Sequence, residues 1–418
     1  MVNSGIHQLK EPPDPDREPY ESQYRWVMLA LVWLAYFAFG VIALSMSPLV
    51  TPILKDLNLS YSQMGIIMGA WPLTYIVVAT IGGAVTDRWG IRKSIFVGIV
   101  LIGLSAILRY FVGGFATLFL CVALFGLGGP LISIGSPKTI SLWFRGKDRG
   151  TAVGIYLTGA WIGGAISIST MNSVIMPLTG YSWRIAFVCL GLLALVIALL
   201  WWFLTRDAKP AEATESANFA KVFRGIINIR NVQLVLIMGF LSFAIGHGYD
   251  DWLPKILEVS GLSPATAGLA ASIPIWVSIP TMIVVPRVVA AHLRGRIIAL
   301  LSLVVAVTLL IIVTTSGIPL IIGLVVYGTS YCCVLPLLVL ILMDLPEIGS
   351  KYMGSASGMF FCVGEIGGFA GPFLVGAIKD LTGGFLAGAC FLAGLTIIRL
   401  FLALSIKTKP AYDIKTPS

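Results

Sequence analysis

Charged residues are scarce in this chain. Asp, Glu, Lys and Arg together make up 11% of the 418 residues, whereas soluble domains carry about 25%. Apolar residues account for 57%. The long apolar runs also lack the period-two alternation of barrel strands. The composition therefore excludes an ordinary soluble domain and predicts an all-α integral membrane protein.

Sequence signals for catalysis and for cofactors are also missing. There is no Gly-rich stretch ending in Gly-Lys-Ser/Thr, so ATP is not expected as an energy source. No convergent nucleophile or metal-ligand cluster indicates an enzyme, and we expect no cofactor. The six cysteines lie in apolar segments without metal-ligand spacing, which is typical of small packing residues: Cys121, Cys189, Cys332, Cys333, Cys362 and Cys390.

The apolar stretches are long enough to cross a bilayer, which takes about 20 residues in a helix. We predict twelve spans and number them in chain order. Their expected bounds are 26–54, 61–85, 94–112, 115–143, 149–176, 183–204, 232–256, 264–288, 296–314, 317–343, 352–377 and 384–406.

Basic residues are distributed unevenly among the connecting segments. Most of the 28 lysines and arginines fall in the termini and in the segments on the same side of the membrane. Because short basic loops stay cytoplasmic, both termini are predicted to be cytoplasmic, in a plasma or inner membrane. The net charge of +9 then reflects topology and attraction to anionic lipid, and it does not indicate nucleic-acid binding. The segments on the other side hold only Lys55, Arg109, Arg184, Lys255 and Lys379.

Three polar segments lie outside the predicted spans. Residues 1–25 are polar and Pro-rich and are expected to form a disordered cytoplasmic tail. Residues 205–231 form a cytoplasmic linker, in which Phe219, Val222, Phe223, Ile226 and Ile227 recur at helical spacing. That spacing predicts a short amphipathic helix on the membrane surface. Residues 407–418 form a second cytoplasmic tail.

The chain repeats itself at a long period. The pattern Gly-x-Ala-x-Gly at 150–154 recurs 204 residues later at 354–358, and Ile-Gly-Gly at 162–164 recurs at 366–368 with the same offset. Two duplicated six-helix bundles are therefore predicted, at 26–204 and 232–406. Such an architecture places a binding site between the halves near mid-membrane, with alternating access. Glycines at spacing four on spans 5 and 11 indicate close helix packing.

Ionisable residues inside spans are costly in lipid and are functional candidates. Span 7 holds the densest group, comprising His247, Tyr249, Asp250 and Asp251. A proton- or cation-binding site fits these residues, because burial brings the proton affinity of a carboxylate towards the working pH range. Alternatively, the two acids reach water at the outer face and His247 makes a packing hydrogen bond.

Three further charged residues interrupt the apolar spans. Glu365, near the middle of span 11, must be protonated, paired or in contact with water, and a coupling or gating role competes with that of a neutral buried acid. Lys138 on span 4 either attracts an anionic substrate, pairs with an acid or snorkels to the headgroups. Arg109 at the end of span 3 is expected to snorkel. Several aromatic residues could line a cavity or belong to the core: Tyr36, Trp71, Tyr249, Tyr327 and Tyr331.

The short loop between spans 2 and 3 combines one acid with three bases. It runs from Gly83 to Lys93, and its residues Gly83, Asp87, Arg88, Gly90, Arg92 and Lys93 form a recognisable frame. The frame resembles the loop between helices 2 and 3 of the major facilitator superfamily, although Ile91 stands where that family usually has a base. The resemblance implies that this gate motif latches the two halves on the cytoplasmic side. The corresponding segment of the second half, around 286–294, lacks the acid.

Smaller elements resemble the cyanate-permease-like branch and the anion:cation symporters of that superfamily. They are Leu108-Arg109, Pro137-Lys138 and Lys379-Asp380-Leu381-Thr382-Gly383, and the first two are also similar to haem and choline carriers. We therefore expect a monomeric symporter that moves a small organic or inorganic anion with H⁺. The alternatives are a facilitator, an exporter or a membrane sensor that does not transport. Span 5 lacks the motif of drug:proton antiporters.

Overall fold

The computed structural model describes residues 23–206, 227–345 and 348–406. The predicted amino-terminal tail up to residue 22, the linker segment 207–226 and the carboxy-terminal tail from residue 407 lie outside the described residues. The predictions of disordered tails and of an amphipathic linker helix therefore stay predictions. Within the described ranges, twelve helices are long and apolar enough to cross a membrane.

The helix bounds follow the predicted spans closely. In the first half the helices are Arg25–Ala43 with Val50–Leu57, Tyr61–Trp89, Ile91–Leu108, Phe115–Trp143, Gly146–Thr170 and Trp183–Leu204. A π-helical turn and the short helix Met176–Leu178 extend span 5. In the second half they are Arg230–Asp250 with Leu253–Val259, Pro264–Val288, Arg294–Thr314, Ile318–Tyr331 with Val334–Met343, Gly349–Thr382 and Leu386–Leu404.

Three spans are interrupted where a single helix was predicted. The breaks follow Ala43 in span 1, Asp250 in span 7 and Tyr331 in span 10. In each case a proline stands shortly beyond the break, at Pro48, Pro254 and Pro336. The proline ring clashes with the carbonyl four residues earlier and removes the hydrogen bond that would continue the helix.

The helices form two six-helix bundles with matching packing. Span 1 packs against span 5 and span 3 against span 6, as span 7 packs against span 11 and span 9 against span 12. The two bundles meet where span 2 contacts span 11 and where span 5 contacts span 8. We call the side of the protein at which Arg25 and Leu404 lie the terminal side, and the other the opposite side.

The predicted duplication is visible in backbone packing. A Cβ added to Gly163 would lie 2.4 Å from the carbonyl oxygen of Phe37, and one added to Gly367 would lie 2.1 Å from that of Phe240. The two glycines are 204 residues apart and the two phenylalanines 203. Each half thus uses the same small residue to bring its fifth helix against its first. The prediction of close packing is confirmed at Gly163 and Gly367, whereas Gly150 and Gly154 have open space where a Cβ would stand.

Candidate functional site

Two of the predicted site residues meet at the interface between the bundles. Glu365 of span 11 and His247 of span 7 both face Gly368: a Cβ built there would lie 2.9 Å from Glu365 Oε2 and 3.1 Å from His247 Cδ2. Pro72 of span 2 closes the same space from the first bundle, at 3.4 Å. Glu365 is 5% exposed, and its Oε2 has no hydrogen-bond partner among the described residues. The pair therefore sits where relative motion of the halves changes its surroundings.

Aromatic rings surround this pair. The ring of Trp71 meets that of His247 edge-on at 5.3 Å, and the ring of Phe243 stacks on that of His247 at 6.1 Å. Trp71 belongs to the first bundle and also contacts Tyr75, whose hydroxyl forms a 2.7 Å hydrogen bond with that of Ser133. The His247 side chain is 21% exposed, so these neighbours cover most of its surface.

The two acids of span 7 differ in their environments. Asp250 Oδ1 accepts a 3.0 Å hydrogen bond from the Tyr327 hydroxyl. Asp251 is 7% exposed, and its Oδ2 lies 3.9 Å from His247 Nδ1, too far for a hydrogen bond. In this closed state Asp251 is therefore shielded from water. Tyr249 and Tyr327 are fully buried and pack 4.7 Å apart, so they belong to the core of the second bundle.

Lys138 lies away from this centre. It is near the terminal-side end of span 4, and its Nζ forms an ion pair with Asp87 of the gate motif. Of the roles considered for Lys138, pairing with an acid is the one seen, and the acid belongs to the same bundle. Both side chains are partly exposed, so the contact is open to solvent.

The other residues of the gate motif form the turn between spans 2 and 3. Gly90 adopts φ +80°, a conformation that glycine tolerates best, and it joins the two helices. Gly83 has open space where a Cβ would stand. Arg92 donates hydrogen bonds from Nε and Nη2 to the carbonyl oxygen of Trp202 at 3.0 and 2.5 Å. Arg88 and Lys93 are exposed.

Arg109 was expected to snorkel to the headgroups, and this prediction is wrong. Its side chain does not reach the headgroups, because the residue is 2% exposed and its guanidinium stacks 4.5 Å over the ring of Phe187. Nη2 is 3.4 Å from Ser105 Oγ, while Nε and Nη1 have no hydrogen-bond partner in the described ranges. Its position at the end of span 3 suggested snorkelling, because sequence alone does not show which helix face points inward.

Two other polar residues make buried or interface contacts, although the sequence did not suggest them as site residues. Arg399 is fully buried in span 12 and donates hydrogen bonds to the hydroxyls of Ser302 at 3.0 Å and Ser242 at 3.1 Å. The sequence signal that could have identified Arg399 is its charge near the middle of an apolar span. Asp380 was noted only as part of a family resemblance. It accepts hydrogen bonds from Ser62 across the interface between the halves.

The contacts between the halves are dense on the opposite side. Besides the Asp380 contact, Thr51 hydrogen-bonds to Glu258 and accepts a 2.7 Å bond from Lys255 Nζ. Asn172 Nδ2 donates to the carbonyl oxygen of Pro264 at 3.3 Å. These contacts close the opposite side around the ends of spans 1, 2, 5, 7, 8 and 11. Among the described residues, no group of His, Cys, Asp or Glu is placed to hold a metal ion.

This arrangement defines a polytopic membrane transporter of two six-helix halves with a polar centre between them. The chain belongs to the Major Facilitator Superfamily, whose family model matches residues 29–372. It is therefore a transporter of small solutes and is not an enzyme.

Curated relatives cover most of the chain. A hexuronate transporter of Bacillus subtilis is 26% identical over 385 residues, which span 85% of this chain and 88% of the relative. A probable sulfoacetate transporter of Cupriavidus necator is 24% identical, over 86% of this chain and 89% of that one. A putative tartrate transporter of Agrobacterium vitis is 24% identical, over 87% and 85%.

Solved structures share the fold. A point mutant of the nucleoside transporter NupG superposes with a TM-score of 0.76 at 14% identity and covers 91% of this chain and 99% of that one. A bacterial homologue of the human lysosomal transporter Spinster, in an inward-facing and unoccupied conformation, gives a TM-score of 0.71 at 17% identity over 92% and 95%.

Proposed function

We propose that this protein is a secondary active transporter that moves a small organic anion together with a proton. The observation that carries the proposal is the meeting of Glu365 and His247 at Gly368, between the halves, with one carboxylate oxygen of Glu365 lacking a partner among the described residues. A buried carboxyl group with a free oxygen is suited to take up a proton from one side of the membrane and release it on the other.

Electrostatics gives this pair a coupling mechanism. An anion that enters beside an ionised Glu365 is repelled, by about 4 kcal/mol at a separation near 4 Å and an effective dielectric constant of 20. Protonation of Glu365 removes that repulsion, so proton binding favours anion binding. The coupling is reciprocal, because each ligand changes the affinity of the other by the same factor.

The names of the relatives support one class of substrate. Hexuronate, sulfoacetate and tartrate all carry at least one carboxylate, and the three relatives named for them match this chain over most of its length. We infer a small carboxylate as the substrate. Lys138 lies near the terminal-side end of span 4, where its charge can raise the local concentration of anions even while it contacts Asp87.

We also infer that the terminal side is cytoplasmic, because Lys and Arg are concentrated in the segments on that side. The structure then represents a state closed to the outside. A plasma or inner membrane fits this orientation, and a monomer suffices because each chain supplies both halves of the site.

Uptake into proteoliposomes tests the proposal. Hexuronates, tartrate, sulfoacetate and monocarboxylates are offered with an imposed pH gradient, acidic outside the vesicle. We expect at least one of them to accumulate in proportion to the gradient. A Glu365→Gln variant keeps the shape of the side chain and removes the titrating group, so its accumulation should become independent of the gradient.

Asp148→Asn provides the matched control, since Asp148 is an exposed acid paired with Arg25 on the terminal side. Its coupling should match that of the unmodified protein. Uptake that only equilibrates the substrate across the membrane, whatever the pH gradient, would indicate a facilitator and refute proton symport. If accumulation by Glu365→Gln still depended fully on the pH gradient, the proton site would have to be another residue.

A further inference from the structure

Two adjacent cysteines lie at the break in span 10. Cys332 and Cys333 stand between the helices Ile318–Tyr331 and Val334–Met343, and both are free thiols. Their sulfur atoms are 3.7 Å apart, although neighbouring side chains of a helix do not face each other. Both residues are buried. The break therefore holds two thiols side by side in the interior of the second bundle.

The backbone around the two thiols is held by long hydrogen bonds. The N–H of Cys332 donates to the carbonyl oxygen of Gly328 at 3.5 Å, and the N–H of Leu337 donates to that of Cys333 at 3.3 Å. Hydrogen bonds of this length are weaker than those of a regular helix. Local opening is easier where the backbone bonds are weak, so a small ligand can reach the two sulfurs although they are buried.

The separation of the sulfurs decides which chemistry fits them. A disulfide usually joins residues whose Cα atoms are about 4.4–6.8 Å apart, whereas the Cα atoms of adjacent residues are only about 3.8 Å apart. An atom that forms two bonds of about 2.3 Å to sulfur at a near-tetrahedral angle joins sulfurs roughly 3.8 Å apart, and a linear arrangement of the same bonds needs roughly 4.6 Å. The observed 3.7 Å therefore favours one bridging atom with an angular geometry.

The surroundings limit the kind of atom that can bridge the two thiols. Within the ranges that the structure describes, no group of three or more His, Cys, Asp or Glu residues could hold a metal ion, whereas a structural zinc site takes four protein ligands. A trivalent arsenic atom that already carries one organic group needs only two thiols, and thiolates are the ligands that soft elements prefer. Such a compound is also uncharged and apolar, so it can enter the interior of a membrane protein.

We propose that Cys332 and Cys333 form a binding site for trivalent organoarsenic compounds, in which one arsenic atom bridges both sulfurs. With phenylarsine oxide, each thiol gives its proton to the oxygen on arsenic. Two As–S bonds form, both bonds between arsenic and oxygen break, and the oxygen leaves as water. Arsenic stays trivalent, so the reaction needs no oxidant or reductant. The site lies within one bundle, and its existence depends neither on the transported substrate nor on proton coupling.

Intact-mass spectrometry of the purified full-length protein tests the site with phenylarsine oxide as the probe. The protein is treated with the probe in detergent and then washed with either a monothiol, 2-mercaptoethanol, or a dithiol, 2,3-dimercaptopropanol. We expect one phenylarsine adduct per chain that survives the monothiol and is removed by the dithiol. An arsenic atom held by two sulfurs of one chain resists a monothiol, because release of one sulfur leaves it tethered beside the other at high effective concentration.

Serine variants decide whether both thiols are needed. Cys332→Ser and Cys333→Ser should each lower the monothiol-resistant adduct at least tenfold, because one remaining thiol cannot bridge. Cys189→Ser and Cys390→Ser are the matched controls, since these two cysteines are exposed and each stands alone on its helix, and they should keep the adduct.

A variant that retains only the two thiols of span 10, with the other four cysteines replaced by serine, gives an independent measurement if a single serine variant does not fold. It should carry the same single adduct as the parent protein. Absence of a monothiol-resistant adduct in the parent, its loss in the variant with only Cys332 and Cys333, or its persistence in Cys332→Ser or Cys333→Ser would each overturn the proposal.

Discussion

Asp380, near the end of span 11, caps the first turn of span 2 from the other half of the molecule. Its Oδ2 accepts hydrogen bonds from the backbone N–H of Ser62 at 2.7 Å and from the Ser62 hydroxyl at 2.5 Å, and its Oδ1 accepts one from the N–H of Tyr61 at 3.1 Å. The first N–H groups of a helix have no partner within the helix, and their partial positive charge attracts a carboxylate. An acid of one bundle therefore satisfies the helix end of the other, in the state closed on the opposite side.

Removal of this cap should open the opposite side. In Asp380→Ala the N–H groups of Tyr61 and Ser62 lose a charged acceptor, and loss of a helix cap costs about 0.5–2 kcal/mol. Distances between spin labels attached at Leu178 in the first half and Ile318 in the second, both exposed on the opposite side, measure this opening. We expect a longer distance between the two labels to be more populated in Asp380→Ala than in the parent protein. Asp344→Ala, which removes an ion pair with Arg294 on the terminal side of the second half, is the control. A distance distribution in Asp380→Ala equal to that of the control would exclude a role in closure.

Gly65 of span 2 allows a second close contact between the halves. A Cβ at this position would lie 2.3 Å from the carbonyl oxygen of Pro372 in span 11. Gly65→Ala should therefore act as a wedge, since overpacking costs about 1–3 kcal/mol and can be relieved here by separating the halves. A bias of that size changes the ratio of the two states by roughly 5- to 150-fold.

The measurement for Gly65→Ala is solvent accessibility of the opposite side, by labelling of an engineered cysteine with a membrane-impermeant maleimide. Gly154→Ala is matched in chemistry, because Gly154 also lies on a spanning helix and a Cβ added there would meet no atom within 4 Å. It should label like the parent. Equal labelling of both glycine variants would show that spans 2 and 11 tolerate the extra methyl group without separating.

Lys138 and Asp87 allow two roles of Lys138 to be separated. If the ion pair is what matters, Lys138→Ala and Asp87→Asn should slow transport by similar amounts, and the double variant should be no worse than either. An exposed pair contributes about 0.2–1 kcal/mol, so the expected effect is less than about tenfold. If Lys138 binds the anion directly, Lys138→Ala should raise KM far more than Asp87→Asn. Initial uptake rates over a range of substrate concentrations distinguish the two outcomes.

The membrane spans could be predicted from the sequence because they depend on the local length and polarity of the chain. The bounds of Phe115–Trp143, Trp183–Leu204 and Pro264–Val288 agree with the prediction to the residue. Apolar length and flanking polar residues decide such bounds without reference to the rest of the fold. The break after Asp250 was missed because span 7 was predicted to continue through the two acids to residue 256, although Pro254 carried the signal.

The partners of polar side chains could not be read in the same way. Glu365 and His247 were both candidates, but their meeting at Gly368 depends on how spans 7 and 11 are rotated against each other. Arg109 could lie on a helix face that points to the lipid headgroups or on one that lines a buried cavity. Apolar residues flank it in the sequence in either case, so the sequence does not distinguish the two. The sequence therefore predicted which residues are costly in the membrane, and the packing of the helices decided what each of them contacts.

Arg399 offers a test of whether a buried charge is needed for folding. It has no acidic partner within hydrogen-bonding distance among the described residues, and its Nη2 is unsatisfied. The two serines that it contacts, Ser242 and Ser302, each also donate a 2.7 Å hydrogen bond to their own helix. A buried charge without an opposite partner is costly, and even buried ion pairs can often be replaced by apolar residues of similar volume with an effect that is neutral or stabilising by about 1–4 kcal/mol.

Arg399→Met should therefore unfold at the same temperature as the parent in detergent, or at a higher one. Arg399→Lys keeps the charge and loses the planar fork, so it should unfold at a lower temperature. If Arg399→Met unfolded at a lower temperature than Arg399→Lys, the positive charge itself would stabilise the second bundle. Loss of transport in a stable Arg399→Met protein would assign the charge to the transport cycle, because folding would then be intact without it.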